Sequence, residues 1–330
     1  MNSKTTRRRS LSMLLALAGA AALAGAAPGA MAQAWPTKPV KVIVPFPAGG
    51  STDILARLLS TQLGKTTGQT FIVENRAGAN GNLGASAAAT AAPDGYTLMF
   101  TTTGPLVFNK VMYKATPYDP VKDFTPIVKV AEIPLLIAAR PSLPVRNLAD
   151  LVAYGKANPG KLTYSTGGNG SMGHLTGELL QRQTGIKMVH VPYGGSAPAL
   201  NDLLGGVVDL SIDLAPTYIQ YVSAGKVNAL ATTTAKRAEL LPDVATVAEQ
   251  GGKAFEATGW NAFVGPAGIA REVVDKVNTV VNNYIASEEG KKALRELGMQ
   301  PSGGTPKDLA DFMATQTTAW TPVAQSVSAP

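Results

Sequence analysis

Short apolar, β-branched runs alternate along this chain with longer stretches in which apolar positions recur every three or four residues. The short runs predict strands over residues 40–45, 70–74, 96–101, 125–131, 135–139, 162–165, 188–191, 208–213, 227–232 and 260–264. The periodic stretches predict helices over 52–63, 83–91, 148–157, 174–183, 196–204 and 216–224. Beyond Trp260 the pattern turns helical, over 272–286, 289–297 and 305–325. Strand–helix alternation with short turns predicts an α/β fold of mainly parallel sheets flanked by helices. No segment repeats at the roughly 20–50-residue period of a solenoid.

Two stretches carry one design. In Val42-Ile-Val-Pro-Phe-Pro-Ala-Gly-Gly-Ser-Thr-Asp53 a buried strand ends at two prolines, Gly49-Gly50 turns the backbone, and Ser51, Thr52 and Asp53 are capping residues for the helix behind them. Leu162-Thr-Tyr-Ser-Thr-Gly-Gly-Asn-Gly-Ser-Met-Gly-His174 repeats it, with a helix starting near Ser171. A strand, a glycine turn and a helix N-terminus aim backbone N–H groups at one spot suited to an anion. Gly49 and Gly50 are therefore expected to tolerate no Cβ. The simpler reading, an ordinary βα turn that binds nothing, loses ground because the chain does this twice.

A crossing between two α/β sets is predicted near Glu132-Ile133-Pro134, with the return near Thr258-Gly259, because the terminal helices have no strands of their own to cover. That divides the chain into lobe 1, residues 33–133 and 259–330, and lobe 2, residues 134–258. Two lobes joined by two crossings make a hinge and a cleft.

Residues 1–32 read as an export signal. Lys4, Arg7, Arg8 and Arg9 precede an apolar stretch, and Ala30-Met31-Ala32 fits a cleavage site, with Ala34 as the alternative. Arg7-Arg8-Arg9-Ser10-Leu11 has a twin-arginine look, which leaves Tat and Sec export both open. Without this segment the formal charge falls from +7 to +3, and no basic run with interleaved aromatics follows, which argues against nucleic acid. The chain has no cysteine, so thiol chemistry and thiolate metal sites are excluded. The mature chain, about 300 residues, suffices for two ordinary domains.

Catalytic templates fail in turn. Gly168, Gly170 and Gly173 satisfy G-x-G-x-x-G, but Val189-His190-Val191-Pro192 offers no acid where a ribose would need one. Leu59 stands where the first glycine of a P-loop belongs, ahead of Gly64-Lys65-Thr66, and Asn169 where a hydrolase elbow needs glycine before Ser171. The two histidines, His174 and His190, lie on different elements without a nearby carboxylate pattern, so neither a metal nor a triad is expected. His174 is expected to order the second turn or pack at a helix start, with a ligand contact as the alternative. Polar residues that end strands are further candidates: Thr101 and Thr102, with Asn109 shortly after; Tyr193; and Asp213. Asp213, closing an apolar strand, could order a turn or receive an ammonium or hydroxyl of a ligand.

Seven segments resemble one family. Pro45-Phe-Pro-Ala-Gly-Gly-Ser-Thr-Asp53, Val73-Glu-Asn-Arg-Ala-Gly-Ala-Asn-Gly81 and Pro93-Asp-Gly-Tyr-Thr-Leu98 look like the substrate-binding proteins of tripartite tricarboxylate transporters, the Bug proteins. So do Pro117-Tyr-Asp-Pro-Val-Lys-Asp-Phe-Thr-Pro126, Val191-Pro-Tyr-Gly-Gly-Ser-Ala-Pro-Ala-Leu-Asn-Asp-Leu-Leu-Gly205, Ala235-Lys-Arg237 and Pro242-Asp-Val-Ala-Thr-Val-Ala-Glu249. The resemblance implies a two-lobed periplasmic-binding-protein (Venus flytrap) fold and capture of a small organic carboxylate for a membrane permease. A monomer without cofactor is expected, and the missing nucleophile–base pair argues against catalysis. The resemblance also implies a ligand held by the first turn, through Phe46, Ala48, Gly49, Gly50, Ser51 and Asp53, partly by way of ordered waters. The matching second turn, with Ser165, Thr166, Gly168, Gly170, Ser171 and His174, would meet the rest of the ligand. Gly194 stands where the family usually has Lys or Arg, and Thr101–Pro105 departs from the commoner sequence before Asn109. Two other readings compete: a sensory partner that hands the same ligand to a receptor, and a periplasmic α/β hydrolase using the same cleft.

Replacing Arg7, Arg8 and Arg9 together with lysine is expected to stop export if the Tat route is used, because that route reads arginine specifically. Fractionation of cells expressing the variant decides it, and unimpaired export assigns Sec.

Overall fold

The computed structural model describes residues 35–252 and 256–327. The export signal read at residues 1–32 lies outside the described residues.

Strand β1 (Val40–Val44) is buried except at Lys41, since it has a strand on either side. It is followed by α1 (Ser51–Thr67), β2 (Phe71–Asn75), a 3-10 turn at Ala79–Gly81, α2 (Asn82–Ala89) and β3 (Thr97–Thr102). Both β2 and β3 pair parallel with β1, in registers Val40↔Phe71 and Lys41↔Thr97. A π-helical turn at Gly104–Phe108 runs into the short α3 (Asn109–Met112), which the periodicity does not reveal.

The longest strand is β4 (Phe124–Ala139), which the hydrophobic pattern splits in two at Glu132-Ile133-Pro134. The chain runs straight through instead. Proline has no N–H to donate to a ladder, and Pro134 stands where the partner changes. Up to Pro134 the partner is β9 (Thr258–Pro266), ending at Pro134↔Thr258. From Leu135 the partners are β7 (Leu210–Leu214) and β8 (Asn228–Thr232).

After β4 come α4 (Leu148–Ala157), β5 (Leu162–Thr166), α5 (Met172–Thr184), β6 (Met188–Pro192) and α6 (Ser196–Leu204), the last leading to β7. A 3-10 turn at Ala215–Thr217 and α7 (Ile219–Ser223) then lead to β8. Past β9 lie α8 (Arg271–Ala286), α9 (Glu288–Glu296), the two-residue β10 (Gln300–Pro301) and α10 (Pro306–Ala324). The strand order is β2-β1-β3-β9-β4-β7-β5-β6, with β8 and β10 also paired to β4. Pairs on the flanks are parallel, as strand–helix alternation requires, whereas β9 is antiparallel to both β3 and β4, and β4 to β7. Alternation reports parallel pairing only where a crossover helix returns the chain to its neighbour, and β3 and β9 are far apart in sequence.

Trp260, Tyr164, Tyr218, Phe100, Phe108 and Phe263 are the largest fully buried side chains. Helix α8 covers the first half of β4, burying Val273, Val277 and Val281 and donating from Asn278 Nδ2 to the Ile127 carbonyl at 2.8 Å. Helix α10 packs Phe312 edge-on to Trp260 at 5.4 Å, and Lys129 sits over the Phe312 ring at 3.8 Å. It also reaches α5, where Arg182 donates to the Pro322 carbonyl at 3.0 Å. Side chains cap several helix starts: Asn147 for α4, Ser171 for α5, Ser287 for α9, and a Thr305–Asp308 capping box with Pro306 in the first turn of α10.

The start of α5 presses on β7 so closely that a Cβ at Gly173 would lie 2.0 Å from the Ile212 carbonyl oxygen. Gly173→Ala is expected to lower unfolding stability by about 2–3 kcal/mol or more, because backbone rather than a flexible side chain must move. Gly194→Ala, with nothing within 4 Å of the added carbon, is expected to stay within about 0.5 kcal/mol of the parent. Equal stabilities in denaturant titrations would show that α5 is free to shift.

Candidate functional site

Three strand–turn–helix junctions meet at a cavity of about 320 Å³. At the β1–α1 junction the turn is shaped from inside by Asp53. Its carboxylate accepts from the Gly49 N–H at 2.9 Å, Asn75 Nδ2 at 2.9 Å and Arg57 Nε at 3.0 Å. Burial pushes the Asp53 pKa up, but these donors outweigh it and hold the group below the usual carboxylate range. Asp53 is thus spent on the turn. Gly49 has φ +82 and needs its glycine, whereas Gly50 sits at φ −75, ψ 164 with only the Pro47 carbonyl, at 3.6 Å, near an added Cβ. The expectation that both positions exclude a side chain therefore holds for Gly49 alone. Ala48, Gly49 and Gly50 form an exposed tip; Phe46, Pro47 and Thr52 line the cavity. Thr52 is held by Asn261 Nδ2 at 3.3 Å.

The β5–α5 junction is organised from behind by both histidines. Their rings stack at 3.8 Å and 13°, His190 Nε2 lies 2.7 Å from Thr166 Oγ1, and Gly170 N–H donates to His174 Nδ1 at 3.2 Å. Burial lowers both imidazole pKa values, and the neighbouring His174 adds to the effect on His190, which falls to about 3. Both rings are neutral near pH 7 and act as scaffold; neither lines the cavity. Ser165 is fully buried and donates to the Leu210 carbonyl at 3.3 Å, and Gly168 donates to Thr166 Oγ1 at 3.2 Å. Ser171 accepts from the His174 N–H at 3.2 Å, so this helix start is already capped. Gly167, Gly170, Ser171, Met172 and Gly173 line the cavity.

At the β6–α6 junction Gly194, Gly195 and Ser196 line the cavity, and α6 has no side-chain cap. Tyr193 turns away to donate to Asp202 at 2.5 Å; burial and that carboxylate push its pKa up to about 12. Across the cavity Thr102 and Thr103 contribute from the end of β3, while Thr101 and Asn109 are buried behind them. Asn109 donates to the Asn80 carbonyl at 2.9 Å and to Asn82 Oδ1 at 2.8 Å. Asn80, which sequence reasoning missed, donates to Asn109 Oδ1 at 3.1 Å and to the Gly170 carbonyl at 3.0 Å, tying the second glycine turn to the opposite wall. Its left-handed backbone (φ 52, ψ 39) is one asparagine tolerates, and Asn in a glycine-rich turn was the available signal.

Of the residues singled out in the sequence, Phe46, Thr102, Gly170, Ser171 and Asp213 come together on the cavity wall. Gly259 and Trp260, at the start of β9, line it too; the sequence marks them only as a crossing point. Among the described residues no Lys, Arg or His lines the cavity, and Asp213 is its one ionisable side chain. Asp213 is 4% exposed; Oδ1 accepts from the Leu214 N–H at 2.8 Å, and Oδ2 has no hydrogen-bond partner. Burial raises its pKa to about 6, tempered by the Leu214 N–H and the nearby Ser196 side chain, which makes no hydrogen bond of ordinary geometry to Oδ2.

A carboxyl whose folded pKa lies above its ordinary value of 3.8 opposes folding once it ionises. The penalty is absent below that value and grows as pH rises through about 6, to about 3 kcal/mol at most. Asp213→Asn is accordingly expected to raise the melting temperature of the ligand-free protein at pH 8 and not at pH 4. Equal shifts at the two pH values would show that ionised Asp213 is not disfavoured.

Relatives of known name match this chain over nearly its whole length. BugT of Bordetella pertussis (strain Tohama I) is 36% identical over 321 residues, covering 97% of this chain and 98% of BugT. Rpa4515 of R. palustris, solved with adipate, superposes with a TM-score of 0.81 at 40% identity, covering 89% of this chain and 98% of that one. MatC (Rpa3494) from Rhodopseudomonas palustris, solved with bound malate, gives 0.78 at 32% identity, covering 88% and 100%. The α/β architecture is thus that of the periplasmic solute-binding proteins of this type. The family model for the tripartite tricarboxylate transporter family receptor matches residues 55–328, and the chain belongs to that family.

Proposed function

We propose that this chain is an exported, non-catalytic receptor that captures a small organic carboxylate between two lobes and presents it to the membrane subunits of a tripartite permease. The observation that carries this reading is the cavity of about 320 Å³ on which three strand-end turns of one chain converge, and the receptor is proposed to act as a monomer. The lobes are residues 33–133 with 259–330, and residues 134–258. In support, the β4–β9 ladder stops at Pro134↔Thr258, where β4 takes new partners, so the two connections lie side by side at one level.

The anion is held by backbone. Helices α1 and α6 start at Gly50 and Gly195 without side-chain caps, so no cap claims the N–H groups of Ser51 and Thr52 or of Ser196 and Ala197 (Pro198 has none), and Thr52 and Ser196 line the cavity. The capped start of α5 contributes shape instead. A serine–histidine pair is not assembled: Ser171 and Ser196 line the cavity, but both imidazoles are stacked behind the second turn. The relatives solved with adipate and malate support a small carboxylate as the ligand class.

Saturating adipate or malate, at about 100 times the dissociation constant, is expected to stabilise the protein by about 2.7 kcal/mol in thermal unfolding, with no turnover. Small-angle scattering is expected to show a smaller radius of gyration with ligand. Asn80→Ala, which cuts the bond to Gly170, is expected to enlarge the ligand-free protein more than the bound one. Tight binding with identical scattering in both states would mean a preformed pocket rather than closure.

A further inference from the structure

Asp213 brings to the cavity a negative charge that no cationic side chain among the described residues answers. Its Oδ2 is buried without a partner, and the other ionisable group that feels it, Tyr218, is engaged with Ser211 at 2.6 Å. An ionised, buried carboxylate without a cation is unfavourable unless something else supplies the proton donor. The strand end is otherwise ordered: the Leu214 N–H already satisfies Oδ1, so the turn does not need the second oxygen. Two more lining residues bury a polar atom without a partner, Trp260 at Nε1 and Thr103 at Oγ1. The indole N–H can only donate, so Trp260 is left without an acceptor as Asp213 Oδ2 is left without a donor.

A plain dicarboxylate fits this set poorly. It would bring two more negative charges to a wall with one negative and no positive side chain. A hydroxyl would satisfy the hydrogen bond but leave the charge uncompensated. An ammonium does both, as a charge-assisted hydrogen bond.

We infer that the ligand is a carboxylate that also carries an ammonium group, of the amino-acid type, with the ammonium against Asp213 and the carboxylate at the uncapped starts of α1 and α6. This rests on the receptor reading above and adds the polarity of the ligand. Asp213 is then the specificity-determining residue of the cleft.

The test is calorimetric titration of the full mature chain at pH 7.5 with matched acids that differ only at carbon 2: propionate and alanine, succinate and aspartate, glutarate and glutamate, with malate as the hydroxyl arm. In at least one pair the amino compound is expected to bind at least ~10-fold tighter, about 1.4 kcal/mol. Succinate and malate are expected to bind more weakly than aspartate wherever that size fits. Asp213→Asn is expected to erase the ratio by weakening the amino compound while leaving the plain acid equal or tighter. Gly194→Lys, which adds a cation to the wall at a position with open space, is expected to reverse the ratio, and serves if the first variant does not fold. Plain acids or malate binding tightest to the parent protein would overturn the ammonium subsite and leave the carboxylate receptor standing. An unchanged ratio in the folded Asp213→Asn variant would overturn it too. Failure of every compound to bind would count against both readings.

Discussion

The ladder between β4 and β9 is the constraint on which the rest depends. It runs from Phe124↔Pro266 to Pro134↔Thr258, and every other strand is placed relative to it. On one side β9 carries β3, and through it β1 and β2; on the other, the second half of β4 carries β7 and β8. Because β9 is buried along its whole length, neither of its faces is free to bend independently. On the two-lobe reading proposed above, bending would be easiest at the end of the ladder, where Pro134 brings no N–H and Gly259 packs against Ile133 and Leu214 without a side chain. Gly259 and Trp260 stand there and also line the cavity. The point where β4 changes partner and the cavity wall are thus one piece of backbone.

Close backbone approaches fix the cleft as firmly as side-chain packing does. Gly173 seats α5 on the Ile212 carbonyl, one residue before Asp213, while a Cβ at Gly84 would fall 2.7 Å from the Pro45 Cα, at the other turn. These are contacts between main chains, and they relax less than contacts between flexible side chains. Behind the second turn, the stacked imidazoles lend rigidity without charge, since burial keeps both neutral.

How far the sequence could be read depended on whether each element carries a local signal. Helix α4 and helix α6 coincide with the periodic stretches 148–157 and 196–204, because one apolar stripe faces the core in each. The joining of two predicted strands into β4 was hidden, because a proline in a strand normally marks its end and only tertiary pairing shows that the ladder changes partner there. At the site, Phe46, Gly170, Ser171 and Asp213 were legible as strand-end or turn residues. Asp53, Thr166, His174 and Tyr193 were legible as polar residues near the site, but the sequence cannot tell a side chain that faces a ligand from one that props up the turn. Asn80 and Trp260 reach the cavity from elements whose position depends on the fold as a whole.

A cleft that must both fill and empty faces an electrostatic problem. A buried cation would hold an anion tightly and stand uncompensated after release, at a desolvation cost. Uncapped N–H groups at the starts of α1 and α6, the anion site proposed above, would avoid this, since water can take the ligand's place when the cleft is empty. Asp213 is the exception, and its chemistry suits it to the same cycle. In the empty cleft burial raises its pKa to about 6, so ionisation is penalised and a proton relieves the charge as pH falls. An ammonium opposite Oδ2 favours the ionised form and pulls that pKa back down. A group that is poorly satisfied alone and well satisfied with one kind of ligand contributes to selectivity through the penalty it imposes on every other kind.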